Sequence, residues 1–313
     1  MITKNDAEAL IETQVAKEIF EGTIRQSKAL SMFRRLPNAT SDKTKLRVLD
    51  SLPMAYFVDE TTNNGRKNLT KQAWANKYIN IAEIAVLVPI KENVLNDADI
   101  NIWGEVRPRV EEAFGKLIDE AIFFGTGKPT DWEDGIVTQT ISAGAVVTET
   151  GSLYSDINDT MTYVEESGYN PSALVGGVGL KGKFRMMTDT TGQPLNTTEI
   201  GSLQRNFMDN GAWDKATASL LVGDFKQAVF QIRQDLTFKV LTEGVIQDPS
   251  TGEILYNLGQ DDMVALRCVM RLGWQLPNPV NALNGTETRF PFAVLVPSSN
   301  SNANSENEDD NNL

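Results

Sequence analysis

The stretch "GGVGLKGKF", residues 176–184, is the part of the sequence that comes closest to a phosphate-binding motif. Gly177, Gly182 and Lys183 have the spacing G-x-x-x-x-G-K, in which backbone N–H groups of a loop surround nucleotide phosphates. Such a loop continues with a serine or threonine that binds Mg²⁺, and Phe184 stands in that position here. We therefore interpret the stretch as a turn between a strand and a helix. A P-loop nucleotide hydrolase is the enzymatic alternative.

The other candidate motifs are weaker. "GTGKPT", residues 125–130, has too few residues for a phosphate loop, and Pro129 prevents a helix from beginning at the lysine. Adjacent acids such as Glu165 and Glu166, or Asp261 and Asp262, are typical of solvated turns, and no spacing brings them to one site. The sequence therefore predicts no catalytic, cofactor or metal site.

Two scarce residue types exclude further chemistry. The chain contains no histidine, so catalysis by a Ser-His-Asp or Cys-His arrangement and metal binding by imidazole are excluded. Its one cysteine, Cys268, lies in the apolar run "MVALRCVMRL" and has no partner for an intrachain disulfide. We expect a buried, unreactive thiol.

Length and charge restrict the class of protein. The 313 residues are 41% hydrophobic, enough for one large or two ordinary domains. With 29 basic and 42 acidic residues the net charge is -13, which argues against tight binding of nucleic acid through its phosphates. The apolar run at residues 84–90 is far shorter than the roughly 20 residues that span a bilayer. The first ten residues show no secretory signal, so we expect synthesis and action in a cytoplasm and no membrane partner.

The first third of the chain predicts an arm followed by a long two-stranded excursion. Ile11, Val15 and Ile19 are four residues apart, which predicts an amphipathic helix. From residue 44 apolar Leu46 and Val48 alternate with charged residues, as in a strand, and an Asn-Gly turn precedes an extended return to residue 84. A two-stranded ribbon is marginally stable by itself, so another surface must cover it.

The remainder predicts one long helix, a mixed region and an acidic tail. Apolar residues three or four apart predict a helix from about residue 101 to 124, with Pro108 marking either a bend or its beginning. Short helices and strands alternate over residues 140–260, and residues 263–275 are strongly apolar. Residues 298–313 have almost no apolar side chains, and we expect them to be disordered.

This order of parts resembles the major capsid protein of tailed bacteriophages, the Hong Kong 97 fold. The resemblance rests on "VPIKENVLNDADINIWGEVRPRVEEAFGKLIDEAIFFGTG" (88–127), "LLVGDFKQAVFQIRQDLTFKV" (220–240) and "QDDMVALRCVMRLGWQLPNPVNAL" (260–283). It implies an α+β fold with no enzymatic activity and no cofactor. The implied parts are an N-terminal arm (1–43), an extended β-hairpin loop (44–84), a peripheral domain (85–139 and 262–297) with a spine helix (about 101–124), an axial domain (140–261) and a disordered tail (298–313).

The resemblance also implies a function and partners. The chain would self-assemble into hexamers and pentamers of an icosahedral shell, enclosing double-stranded DNA without sequence-specific contacts. Because only a short arm precedes the loop, a separate scaffolding protein is expected. A portal protein is a further expected partner, and the presence of a decoration protein is left open, with assembly in the host cytoplasm and a final location in the virion. An encapsulin nanocompartment, which has the same fold without a genome, is the alternative.

Two sets of residues follow from the resemblance. Contacts between subunits are expected from the arm and the loop: Ile11, Val15, Ile19, Arg66, Lys67, Trp74 and Tyr78. Some family members join neighbours through an isopeptide bond between a lysine and an asparagine. The residues of matching type are Lys67, Lys71 and Lys77 with Asn278, Asn281 and Asn284. These types are common, so the shell is expected to be held without covalent links.

Overall fold

The computed structural model describes residues 26–53, 69, 72–97, 102–188, 193, 203–283 and 289–298. The predicted helix of the arm, the tip of the extended loop and residues 299–313 of the predicted disordered tail lie outside the described residues. Helices and strands both occur throughout the described part of the chain, and the predicted α+β class is confirmed.

The helices form around the apolar segments with helical spacing. In chain order they are α1 (Lys28–Met32), α2 (Glu92–Asp97), α3 (Ile102–Phe123), α4 (Ile136–Ser142), α5 (Leu153–Glu166) and α6 (Leu180–Arg185). Helix α3 is the predicted spine helix, and Pro108 lies inside it without ending it.

Within the described residues, the strands form four sheets. They are β1 (Arg34–Arg35), β2 (Lys43–Ser51), β3 (Ala73–Asn80), β4 (Ala82–Lys91), β5 (Val146–Thr148), β6 (Ala173–Gly177), β7 (Gln204–Met208), β8 (Leu220–Gly223), β9 (Val229–Leu241), β10 (Val245–Gln247), β11 (Ile254–Asn257), β12 (Met263–Gln275) and β13 (Phe292–Val296). Strands β2 and β3 pair with each other, as do β10 and β11, and the others form a four-stranded and a five-stranded sheet.

The four-stranded sheet has the order β1-β9-β12-β4 and packs against the spine helix. Its central strand β12 is buried along nearly its whole length, since it pairs with β4 on one edge and β9 on the other. Phe114 and Ile118 of the spine helix belong to the same core as Cys268 and Leu272 of this strand. The helical 3-and-4 spacing thus supplies the apolar face that covers the sheet.

The five-stranded sheet has the order β5-β13-β8-β6-β7. Its central strands β13 and β8 are fully buried, and helix α5 covers one face through Ile157, which packs with Leu174 and Leu295. Gly223 is required where β8 meets β13, because a Cβ atom there would lie 2.3 Å from Cδ1 of Phe292.

The expected boundary between residues 261 and 262 does not follow these sheets. Strand β9, which lies within the expected axial segment 140–261, pairs with β12 in the four-stranded sheet. Strand β13, which lies within the expected peripheral segment 262–297, pairs with β8 and β5 in the five-stranded sheet. An apolar run predicts a buried strand but does not specify its neighbours, so the sequence could not assign these two strands to a sheet.

Candidate assembly surfaces

The glycine-rich stretch is a turn, as predicted. Strand β6 ends at Gly177, and the six-residue helix α6 begins at Leu180. A Cβ atom on Gly176 would lie 2.8 Å from Cδ2 of Leu180, so glycine allows the helix to pack closely on the strand. Lys183 donates from Nζ to Oε1 of Glu149 at 2.7 Å. The lysine of the motif is therefore paired with a carboxylate of its own chain.

Replacing Lys183 with alanine tests the nucleotide hypothesis. We expect no binding of Mg²⁺-ATP at millimolar concentration by either the parent chain or the variant in calorimetry. Because Lys183 is half exposed, loss of its ion pair is expected to lower the free energy of unfolding by at most about 1 kcal/mol. Binding by the parent chain that Lys183→Ala removes would instead support a P-loop enzyme.

The described residues offer little for catalysis. They contain no group of three metal-binding side chains. Cys268 is buried, as predicted, and burial raises its thiol pKa to about 11, so the reactive thiolate is scarce at neutral pH. Among the helices of the described part of the chain, none is long and apolar enough to cross a membrane.

The first candidate assembly surface is the ribbon formed by β2 and β3. The strands pair antiparallel from Lys43 opposite Asn80 to Ser51 opposite Ala73. Side chains alternate between two faces, and the inner face carries Val48 and Ile79, which are buried. The outer face carries the following residues: Lys43, Lys45, Arg47, Leu49, Trp74, Asn76, Tyr78 and Asn80.

The base of the ribbon is held by the end of β12 and by the loop before helix α4. Gln275 donates from Nε2 to the backbone oxygen of Tyr78 at 2.8 Å. Trp132 donates from Nε1 to the backbone oxygen of Asn80 at 3.0 Å. A Cβ atom on Gly273 would lie 2.4 Å from the same oxygen of Asn80. The close approach at Gly273 therefore allows the ribbon to sit against the four-stranded sheet.

The outer face of the ribbon leaves large aromatic side chains uncovered. Trp74 is 59% exposed and Tyr78 is 40% exposed. Large exposed apolar groups on a projecting element are typical of an interaction surface. The other predicted contact residues, Ile11, Val15, Ile19, Arg66 and Lys67, lie outside the described residues.

The second candidate assembly surface is the hairpin of β10 and β11, which was not predicted from the sequence. Its turn is "DPSTG", in which Asp248 accepts hydrogen bonds from the backbone N–H groups of Ser250 and Thr251. This turn chemistry between two short apolar runs is a hairpin signal that the sequence contains. Four large apolar side chains of the hairpin are exposed: Val245, Ile254, Leu255 and Tyr256.

The described candidates for a covalent link all make contacts within the chain. Lys77 donates from Nζ to the backbone oxygen of Leu276 at 2.9 Å. Asn278 accepts from the Tyr169 hydroxyl at 2.7 Å, and Asn281 donates from Nδ2 to the backbone oxygen of Ser167 at 2.9 Å. Lys67, Lys71 and Asn284 lie outside the described residues.

A buried carboxylate fixes the place where the arm meets the body. Asp119 of the spine helix is fully buried and accepts hydrogen bonds from the Ser27 hydroxyl (2.8 Å) and from the backbone N–H groups of Lys28 (3.1 Å) and Ala29 (3.0 Å). Asn210 donates a further bond at 2.9 Å. Burial raises the pKa of Asp119, and the hydrogen bonds oppose that shift. Nothing in the helical pattern singled out this acid.

Two two-stranded elements, each with uncovered apolar groups, are surfaces typical of a subunit that assembles with other copies. Residues 7–284 match the Phage capsid family, and the chain belongs to this family. The chain is 23% identical over 296 residues to the major capsid protein of Staphylococcus phage 80alpha, covering 91% of this chain and 83% of that protein.

Solved structures from phages share the fold. A structure from Microbacterium phage Oxtober96 is 33% identical with a TM-score of 0.77, covering 87% of this chain and 91% of that one. A structure from Mycobacterium phage Adephagia is 27% identical with a TM-score of 0.78, covering 87% and 90%. The resemblance to the tailed-phage capsid fold is therefore confirmed.

Proposed function

We propose that this chain is a major capsid protein whose copies form hexamers and pentamers of an icosahedral shell around double-stranded DNA. The observation that carries the proposal is the ribbon, held at its base by Gln275 and Trp132 while Trp74 and Tyr78 stay uncovered. Burial of such aromatic groups against neighbours supplies much of the energy of an interface. Membership of the Phage capsid family over residues 7–284 supports the same role.

We infer that the two larger sheets belong to different domains of the subunit. We assign the peripheral domain to the four-stranded sheet with the spine helix, and the axial domain to the five-stranded sheet with helix α5. The ribbon of one copy would cover a neighbour, and the exposed apolar hairpin (Val245–Asn257) would meet further copies. A separate scaffolding protein and a portal protein complete the proposed partners, with assembly in the host cytoplasm.

Electron microscopy of the expressed chain, with its neighbouring gene products, tests the proposal. We expect closed shells from the parent chain. Trp74→Asp should reduce the yield of shells at least about tenfold, because loss of a central aromatic contact costs about 2 kcal/mol or more per interface. The variant should stay folded by circular dichroism, since Trp74 is exposed in the subunit.

Trp74→Phe is the matched control and should still form shells, since it keeps an aromatic side chain. Denaturing electrophoresis of parental shells is expected to show one monomer band, in line with a shell without covalent links. A chain that stays monomeric at high concentration beside its assembly partners would contradict the proposal.

A further inference from the structure

The ribbon carries a local excess of positively charged residues, although the protein as a whole is acidic. Residues 43–80 contain seven Lys and Arg against three Asp and Glu, whereas the whole chain has a net charge of -13. Such local concentration of one sign of charge directs the binding of an oppositely charged surface.

Three of these charges lie on the outer face of the ribbon. Lys43, Lys45 and Arg47 alternate along β2 and therefore share this face with Tyr78. The Lys43 ammonium lies 4.5 Å from the centre of the Tyr78 ring. Within the described part of the chain, no carboxylate forms an ion pair with Lys45 or Arg47.

The strongest acidic segment of the chain follows the last strand. "ENEDD", residues 306–310, has four carboxylates in five residues, and residues 299–313 contain no Lys or Arg. Neighbouring carboxylates repel each other, so a basic surface that accepts them lowers their electrostatic free energy. The carboxylates of the spine helix are weaker candidates for binding the basic face of the ribbon, because Glu112 and Glu120 already pair with Arg109 and Lys116.

The acidic segment can reach the ribbon of its own subunit. Val280 donates to the backbone oxygen of Leu49 in β2 at 3.0 Å, and Arg289 donates to the backbone oxygen of Pro279 at 3.1 Å. The chain from Arg289 to Ser298 extends at most about 32 Å, and the chain from Ser298 to Asp310 at most about 43 Å. The second length exceeds the first by about 11 Å, so a nearly extended tail can bring its last acids back along the last strand to the segment that borders the ribbon.

We propose that the acidic segment 306–310 binds the outer face of the ribbon in the same subunit, with its carboxylates against Lys43, Lys45 and Arg47. On the proposed function, a neighbouring subunit covers this face in the shell. The acidic segment and the neighbouring subunit then compete for the outer face of the ribbon, and assembly requires the acidic segment to dissociate from that face. The binding itself precedes assembly, so it is tested on subunits before shells form.

Carbodiimide cross-linking of the whole chain at low concentration tests the proposal, because the reagent joins only carboxylates and amines in direct contact. An equal mixture of ¹⁴N and ¹⁵N subunits separates links within a subunit from links between subunits by mass spectrometry. We expect unmixed links from residues 306–310 to Lys43 and Lys45. The variant Glu306→Gln, Glu308→Gln, Asp309→Asn, Asp310→Asn removes the reacting carboxylates, so it serves only to confirm the assignment of these links.

Two comparisons make the result decisive. In the parent chain the links should fall at least about tenfold at 1 M salt, where charges are screened beyond about 3 Å. Lys215 is exposed near Gly177 in the five-stranded sheet and serves as the control lysine. Absence of links to the ribbon, links between differently labelled subunits as frequent as links between equally labelled ones, or equal linkage to Lys215 would each overturn the proposal. Failure to form shells would leave this result unaffected.

Discussion

Asp119→Ala is expected to lower the free energy of unfolding by about 3–5 kcal/mol. The carboxylate is fully buried, and its removal leaves the Ser27 hydroxyl and the N–H groups of Lys28 and Ala29 without an acceptor. Each buried donor left without a partner costs about 1–3 kcal/mol, partly offset because the carboxylate no longer has to be desolvated. Urea unfolding of the unassembled chain, followed by tryptophan fluorescence, measures the loss.

Two variants make the Asp119 result specific. Asp209→Ala removes an exposed carboxylate from the adjoining segment and should change the free energy of unfolding by less than about 0.5 kcal/mol. The loss of unfolding free energy in Asp119→Asn should lie between the losses of these two variants. One acceptor oxygen remains, but the new NH₂ group, placed at Oδ2, would face the N–H donors of Lys28 and Asn210. Equal stability of Asp119→Ala and Asp209→Ala would show that Asp119 does not hold the arm to the spine helix.

Gly273→Ala is expected to destabilise the subunit by about 1–3 kcal/mol and to abolish shell formation. The added methyl group would lie 2.4 Å from the backbone oxygen of Asn80 and 2.8 Å from Cγ2 of Ile79. Backbone atoms cannot rotate away, so the base of the ribbon must move. That movement also disrupts the hydrogen bond from Trp132 to Asn80. Unfolding in urea measures the first effect, and electron microscopy measures the second.

Gly259→Ala is the matched control for Gly273→Ala. No heavy atom lies within 4 Å of a Cβ atom at Gly259, and its backbone lies outside the left-handed region. We expect normal shells and a change in stability below about 0.5 kcal/mol. Normal shells from Gly273→Ala would mean that the close contact between the ribbon and β12 at Gly273 is not needed for assembly.

Several features of this protein were predictable because they depend on local periodicity. The alternation of Leu46 and Val48 with charged residues predicted the first strand of the ribbon, and the structure pairs it with residues 73–80. The 3-and-4 spacing of apolar residues predicted the spine helix to within one residue at each end. The apolar run around Cys268 predicted a buried thiol. In the first two cases the periodicity of the backbone places the side chains on one face, and in the third a continuous apolar run indicates a strand that is buried on both faces.

The missing hydroxyl after Lys183 argued against a nucleotide loop from the sequence alone, because such a loop uses that group to bind Mg²⁺. The pairing of Lys183 with Glu149 could not be predicted from the sequence, since 34 residues separate the two.

Only the tertiary structure decided which distant segments meet. It placed Phe292–Val296 beside Leu220–Gly223 and joined Asp119 to Ser27 across 92 residues. It also showed that Gly273 provides the space for the ribbon. Periodicity determines which face of an element is buried, whereas the partner of that face depends on packing among segments far apart in the chain. The sequence therefore determined the elements of this subunit, and tertiary packing decided how its ribbon and arm are held in place.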